Sequence, residues 1–411
     1  MKVLLVEPQR GRDWGPHQQY LGLLRIGNWH QCIGDDVEYV FSPNKPKTID
    51  YPDLVYVTSM FTYWYKNVWA AIKHYKNLYP KAHIMLGGIY ATLCPEHAKQ
   101  SGADAVIPGQ HPIAKDYAPD PILVPDNPDY AYMMSSFGCN RACTYCATHI
   151  LYGHGIRQME PEQFLEEVEF LYSKGIYKMW LGDDNILYNF EGHLGQICEL
   201  LIKRNYRMEI HITGGMSALD FTQDAAYLMR RAGIKEISFS IESIDSDVLK
   251  QMGRAANVHM EDLVHALEYA DNAGYRRIDT NVYFIIGLPY QSKQDILDTL
   301  LFLMGQEVWA HPQRLTPIPG TVDFKRMNLE GIDLEDLHYK KFTAPGQDSE
   351  FLNAIYDAAR FSNYGTRYAT FNLLKSGLFV PNPMAVDILG KNLKILSKRQ
   401  REKLNIKIKG G

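Results

Sequence analysis

The chain has 411 residues, of which 46% are hydrophobic and 22% charged, and its formal net charge is -4. That length exceeds what one hydrophobic core normally supports and predicts two domains, in a composition typical of globular proteins rather than disordered or fibrous ones. The small net charge excludes a large nucleic-acid surface and leaves room for a local basic patch only.

The opening MKVLLVEP has an apolar run too short for a secretory core or a membrane span. It reads as a buried first strand, and the chain as cytoplasmic with no membrane span. Residues 2–110 then alternate short apolar runs with amphipathic stretches. KVLLVE, a helical segment from about Gln18, VEYVF, LVYVTS, a helix over about 65–79, HIMLGG, a helix near Glu96 and DAVI follow in turn. Such alternation predicts an α/β domain, residues 1–111, with a parallel sheet and helices on both faces. Val68, Ile72 and Tyr75 share one face of the longest helix.

Pro112, Pro119, Pro121, Pro125 and Pro128 crowd the next segment. Neither regular structure tolerates that density, so 112–129 is predicted as a linker.

A second alternation starts at Tyr130. AYMMSS, YKMWLG, RMEIHIT, EISFSIE, RIDTNVYFIIG and QRLTPI read as strands, with helices over about 161–173, 190–204, 222–232, 258–272 and 293–304. Pro161 opens a first turn and Ser292 with Asp295 has capping-box spacing. Six βα steps over 130–322 predict a partial (β/α)6 barrel, whose chemistry belongs at the C-terminal ends of its strands. Residues 323–411 form a small C-terminal extension that closes on a run with eight Lys or Arg against one Glu. That basic tail is either a solvated face or a grip on a polyanion.

The loop after the first barrel strand reads FGCNRACTYCATHILYG, residues 137–153. Cys139, Cys143 and Cys146 stand in C-x3-C-x2-C spacing, whereas Cys32, Cys94 and Cys198 are scattered and read as buried spectators. In a reducing compartment such clustering points to metal or catalysis rather than disulfides. Two readings fit the spacing. With His149 the thiols could make a zinc site of three sulfurs and one nitrogen. Alternatively they hold a 4Fe-4S cluster, normally given four thiolates, and leave one iron open for chemistry.

With aromatic Tyr145 just before its last cysteine, the run resembles the signature of the radical S-adenosylmethionine (SAM) superfamily. The resemblance implies a 4Fe-4S cluster on Cys139, Cys143 and Cys146 whose open iron chelates SAM. It further implies an electron donor such as flavodoxin or ferredoxin, reductive cleavage of SAM, and a 5'-deoxyadenosyl radical that attacks an unactivated carbon. Gly182, Asp183 and Asp184 in WLGDDN stand where the family receives the methionyl ammonium. Ser240 and Glu242 in FSIES resemble its ribose and carboxylate positions, and Gly287 in YFIIGLP its adenine-contacting strand; Tyr145 joins this SAM-binding set.

Residues 1–110 resemble the cobalamin-binding-like, Rossmann-type domain that precedes many such barrels. Thr58, Ser59, Gly87 and Gly88 are its candidate cobalamin contacts. The family's DxHxxG cobalt-ligand signature is absent, since His17 and His30 lack the spacing, and the expectation therefore leans against cobalamin. The run FTYWY, residues 61–65, reads as wedges between helix and sheet rather than a corrin platform. The function expected is radical SAM chemistry on an unknown substrate, small molecule or macromolecule. Cobalamin-dependent C-methyl transfer is the first alternative, and a non-catalytic metal-binding or RNA- or carrier-interacting protein the second. No catalytic acid or base stands out.

Overall fold

A computed structural model describes residues 1–8, 19–125, 129–254, 259–366 and 384. The basic tail and His17 lie outside them.

The first sheet has strands β1 (Lys2–Glu7), β2 (Asp36–Phe41), β3 (Leu54–Val57), β4 (His83–Leu86) and β5 (Ala105–Val106). They pair in the order β2-β1-β3-β4-β5, all parallel. Both faces are covered, which is why VLLV carries no polar residue. Leu4 and Val6 pack with Val68, Ile72 and Tyr75 of α2 (Tyr65–Leu78), while Val3 and Leu5 pack with Leu23 and Leu24 of α1 (Leu21–Cys32). Short helices α3 (Ile89–Leu93) and α4 (Pro95–Ala98) follow β4. In a doubly wound sheet of this order the ligand crevice opens at the carboxyl ends of β1 and β3, where the winding reverses. Through the proline-rich segment the described residues carry two short 3-10 turns, Ala114–Asp116 and Pro121–Leu123.

The second array comprises β6 (Ala131–Met133), β9 (Lys178–Leu181), β10 (Glu209–Ile212), β11 (Ile234–Glu236), β12 (Ser238–Glu242), β13 (Asn281–Ile286) and β14 (Trp309–Arg314). Two sheets, β11-β10-β9-β6 and β12-β13-β14, meet at Ile237, so β11 and β12 are halves of one expected strand. A bridge from Met216 to Phe239 stitches them. The result is an open arc of parallel strands, a partial barrel. Outside the arc lie α6 (Pro161–Ser173), α7 (Leu194–Lys203), α8 (Gln223–Arg231), α10 (Met260–Asn272) and α11 (Lys293–Gly305). Their apolar faces bury Met179, Leu181, Ile210, Ile212, Phe239 and Val282 in one large core. Ser292 and Asp295 form the expected capping box, and Pro161 sits in the first turn of α6.

Four sequence expectations need correction. The last strand is Trp309–Arg314 rather than 313–318, and it runs through Pro312 because it lies at a sheet edge, where a missing N–H is tolerated. An antiparallel hairpin, β7 (Ser136–Cys139) with β8 (Gly155–Gln158), brackets the cysteine loop and its helix α5 (Thr148–Tyr152). Beyond the arc, α9 (Ser246–Gln251), α12 (Val322–Arg326) and α13 (Ser349–Thr366) add helices that weak periodicity concealed. Cys32 is exposed and Cys94 half-buried, so only Cys198 is a buried spectator.

The two parts share one hydrophobic cluster, in which Leu4 and Val57 join Val248, Leu249, Leu288 and Phe324. Across the same seam Arg25 of α1 makes a bidentate pair with Glu167 of α6, at 2.6 and 3.0 Å, both side chains buried.

Candidate active site

Cys139 ends β7, Cys143 is buried and Cys146 half-buried, so the hairpin presents three thiols at the carboxyl end of the arc. Later elements hold their loop in place. Thr144 donates its N–H to the Met252 carbonyl at 3.0 Å and its hydroxyl to Asp323 at 2.8 Å, while Asp323 N–H returns to the Thr144 carbonyl at 3.0 Å. Asp323 is fully buried and also accepts from Tyr290 at 3.2 Å. Gly253 comes so close to the loop, with φ of 71°, that a Cβ there would stand 2.9 Å from the Ala142 carbonyl oxygen.

The residue after that glycine was not foreseen. Arg254, buried, places Nη1 3.8 Å from Cys143 Sγ and 3.3 Å from Tyr145 Oη, and Nη2 3.2 Å from the Ser240 carbonyl. Its Nη1 lies 3.8 Å from Glu242, and Tyr145 donates to the same carboxylate at 3.2 Å. Three expected SAM contacts, Tyr145, Ser240 and Glu242, thus converge on one guanidinium. Glu242 has φ of 64°, an uncommon conformation for its residue type, at the point where β12 ends. Burial pushes its carboxyl above the usual range, with the Arg254 charge as the main opposing influence. Burial and then the Glu242 charge drive the Tyr145 phenol well up as well. Arg254 Nε is buried with no hydrogen-bond partner among the described residues.

The paired aspartates diverge. Asp183 turns inward, accepting from Ser135 N–H at 3.2 Å and from the Ser135 and Ser136 hydroxyls at 2.7 Å each, so it ties β9 to the start of the hairpin. Asp184 faces the cysteine loop, accepting from Gly138 N–H at 3.0 Å and Thr148 Oγ1 at 3.3 Å. Burial raises both carboxyls. Gly182 lies under Tyr132, where any Cβ would overlap the phenol ring. Gly287 backs onto Leu352 of α13, whose side chain would stand 3.0 Å from a Cβ at that glycine.

A cavity of about 360 Å³ runs from the carboxyl edge of the first sheet to the barrel. Thr58, Ser59, Gly87 and Gly88 line one side, Tyr132, Gly182 and Asp184 the other. Ser59 already donates to the Gly87 carbonyl at 2.6 Å and accepts from Ala91 N–H at 3.3 Å. Gly88, with φ of 95°, is pressed against the Ser59 backbone. His111 also lines the cavity, and its Nδ1 accepts from Ala114 N–H at 3.1 Å. Burial lowers its pKa. The neutral ring therefore carries its proton on Nε2, a donor rather than a metal ligand. Of the FTYWY run, Thr62, Tyr63 and Tyr65 are buried, and Phe61 stacks on Tyr63 at 5.0 Å.

The three-thiol donor set fits a four-iron cluster with one iron free of protein sulfur. A four-iron cluster gives each thiolate its own iron. Burial raises the Cys139 and Cys146 thiols, and the Arg254 charge beside Cys143 would offset the negative charge of a thiolate-ligated cluster held there.

Residues 133–303 match the family model of the radical SAM superfamily. That stretch carries a radical SAM domain. Similar curated proteins include a bacteriochlorophyllide d C-12(1)-methyltransferase of Chlorobaculum tepidum, 27% identical over 47% of this chain and 42% of that one. A threonylcarbamoyladenosine tRNA methylthiotransferase of Thermotoga maritima is 25% identical over 62% of this chain and 64% of its own. The chain therefore spans less than two thirds of either relative. In fold it is similar to the radical SAM methyltransferase TsrM of Kitasatospora setae, solved with cobalamin and a [4Fe-4S] cluster bound. The TM-score is 0.65 at 15% identity, covering 84% of this chain and 79% of that one. Among the described residues no helix is long and apolar enough to cross a membrane.

Proposed function

We propose that the protein is a radical SAM enzyme that transfers a one-carbon group to, or otherwise remodels, an unactivated carbon of its substrate. The observation that carries the reading is the convergence of Tyr145, Ser240, Glu242 and Arg254 beside the three-thiol loop. Cys139, Cys143 and Cys146 would hold the 4Fe-4S cluster. When bound, a cluster with one iron free of protein sulfur supplies the electron that cleaves SAM to methionine and a 5'-deoxyadenosyl radical.

The chain's own residues bind and orient. Arg254 keeps one N–H, at Nε, for an acceptor, and the carboxylate of a bound methionine moiety is an acceptor of that kind. Asp184, 3.0 Å from Gly138 N–H, holds the cysteine loop against the end of β9 and offers a carboxylate to an ammonium there. Asp183 sets the strand geometry that aims its neighbour. Gly182 lets Tyr132 close over the strand end, which keeps water from the reacting carbon. An external one-electron reductant such as flavodoxin or ferredoxin completes the proposal. Methyl rather than methylthio transfer is favoured, because Cys32, Cys94 and Cys198 are too scattered to hold a second cluster as a sulfur source.

A second reading, cobalamin-dependent C-methylation, is favoured by the cavity between the sheet edge and the barrel and by the likeness in fold to TsrM. Its residues would be Thr58, Ser59, Gly87 and Gly88, with His111 as a donor and not a cobalt ligand.

Electron paramagnetic resonance of the anaerobically reconstituted, dithionite-reduced protein tests the first reading. A four-iron signal that shifts on adding SAM is expected, and a signal indifferent to SAM would contradict it. Absorbance with and without hydroxocobalamin tests the second: corrin bands retained after desalting are expected, and their loss removes cobalamin.

A further inference from the structure

The cysteine loop and its partners stand at the carboxyl ends of the arc strands. The amino ends carry a cavity of their own. It measures about 750 Å³ and opens between the last residues of α7 and α8 and the first of β9, β10 and β11. Tyr177, Lys178, Arg207, Arg231 and Lys235 line it, with Asp129 and Glu209 as its acidic residues. Lys235 also lines a cavity of about 130 Å³ next to it, so the two adjoin as one trough.

Positive charge in this trough is left over. Lys178 pairs with Glu209 at 3.0 Å, which leaves Arg207, Arg231 and Lys235, all exposed and all without a partner among the described residues. Every other described arginine has a hydrogen bond, an ion pair or a ring contact, as Arg204 has with Glu162 and Glu169 and Arg230 with the Tyr275 ring. The two arginines that lack one both line this cavity. Arg231 closes α8, where a cation complements the helix dipole. Arg207 and Lys235 lie beyond the helix ends, so that account does not cover them.

An aromatic ring stands beside the cations. Tyr177 is 50% exposed, and Tyr172 braces it edge-on at 4.7 Å while packing on Tyr206 at 5.1 Å. A ring held in that way offers a face to a planar ligand.

We propose that the trough binds a nucleoside polyphosphate, with its base on Tyr177 and its phosphates on Arg207, Arg231 and Lys235. Guanidinium forks match phosphate oxygens, and the exposed Asp129 carboxylate accepts from ribose hydroxyls. The volume is that of a small-ligand site, and the net charge of -4 weighs against a polynucleotide. Strand β9 runs from Lys178 at the trough to Leu181, beside Gly182 and Asp184. Its length of roughly 13 Å separates a nucleotide here from the cysteine loop. The nucleotide is therefore a second ligand, and its site stands independently of the SAM reading.

Isothermal titration calorimetry on the full, cluster-loaded chain tests it, using ATP, adenosine, tripolyphosphate and an oligoadenylate as probes, with and without saturating SAM. One ATP per chain is expected in both conditions, bound about tenfold or more tighter than adenosine or tripolyphosphate. Arg207→Ala, Arg231→Ala and Lys235→Ala should each weaken ATP about fivefold or more. Tyr177→Ala should weaken ATP and leave tripolyphosphate unchanged, and Lys73→Ala, exposed on α2, should change nothing. Thermal unfolding confirms that each variant is folded. The site is overturned by no saturable ATP binding, by ATP no tighter than tripolyphosphate, or by folded trough variants that match wild type. Displacement of ATP by SAM, or an oligoadenylate bound more tightly than ATP, overturns it as well.

Discussion

Arg254 stands 3.8 Å from Cys143 Sγ and 3.3 Å from Tyr145 Oη, so one guanidinium both faces a thiol of the cysteine loop and fixes that loop's aromatic residue. A hydrogen bond to a charged group is worth about 1.5–3 kcal/mol, roughly ten- to hundredfold in affinity. Arg254→Met should therefore raise the SAM KM by about that factor, with Arg254→Lys recovering part of it. Equilibrium binding of SAM to reconstituted protein gives the answer, and unchanged affinity in the Met variant would remove Arg254 from the site.

Asp323 is the anchor of the loop from the other side. It accepts from Thr144, Tyr290 and Arg326 while fully buried. Asp323→Ala leaves those donors unsatisfied and should cost about 2–3 kcal/mol in urea unfolding. Iron retained per chain after desalting should fall in parallel.

Gly253→Ala tests the close approach of the chain to the cysteine loop. Its φ of 71° and a Cβ position 2.9 Å from the Ala142 oxygen make any side chain there strained. A loss of about 1–2 kcal/mol is expected from the backbone conformation alone, together with poorer iron incorporation. The same substitution at Gly274, where a Cβ meets nothing within 4 Å, should leave iron content unchanged.

How much of this was legible in the sequence differs from residue to residue. The barrel strands were readable because Ile210, Ile212, Phe239 and Ile241 alternate with polar partners, a period of two that only half-buried strands need. The β7–β8 hairpin was not, since SFGC and GIRQ carry glycines and no periodicity. Pro312 concealed β14 because proline argues against a strand, yet β14 is an edge strand, where a missing N–H is tolerated. Asp183 and Asp184 are the same residue type with opposite roles, which follows from the strand ending beside them and from no local signal. Arg254 had one cue, the glycine before it.

The seam between the two parts depends on Arg25 and Glu167. Burial pushes the Glu167 carboxyl up, against the pull of Arg25. Removing one partner leaves a buried, unpaired charge, so Glu167→Ala should cost about 3–5 kcal/mol, whereas replacing both with Met and Leu should recover most of it. Urea midpoints of the single and double variants decide this.

His211 gives stability a pH dependence. Burial lowers its pKa, but its hydrogen bonds to Glu236 and Glu209 and their charges outweigh burial, and the net shift is upward. A histidine raised on folding binds protons more tightly in the folded state. Its contribution is complete below about pH 6.5, its unfolded value, and is lost as pH rises through the folded value. The stability difference between wild type and His211→Gln should shrink from pH 6 to pH 9, and a difference that grows would reverse the assignment.

Three sulfurs and a polar clamp, on the function proposed above, make this chain cleave SAM. The most direct test is 5'-deoxyadenosine formation, quantified by liquid chromatography, by anaerobically reconstituted protein under dithionite with SAM. Wild type should form it, and Cys139→Ala, Cys143→Ala and Cys146→Ala should each abolish it. A chain that loads four irons yet forms no 5'-deoxyadenosine, or cysteine variants that match wild type, would contradict that function.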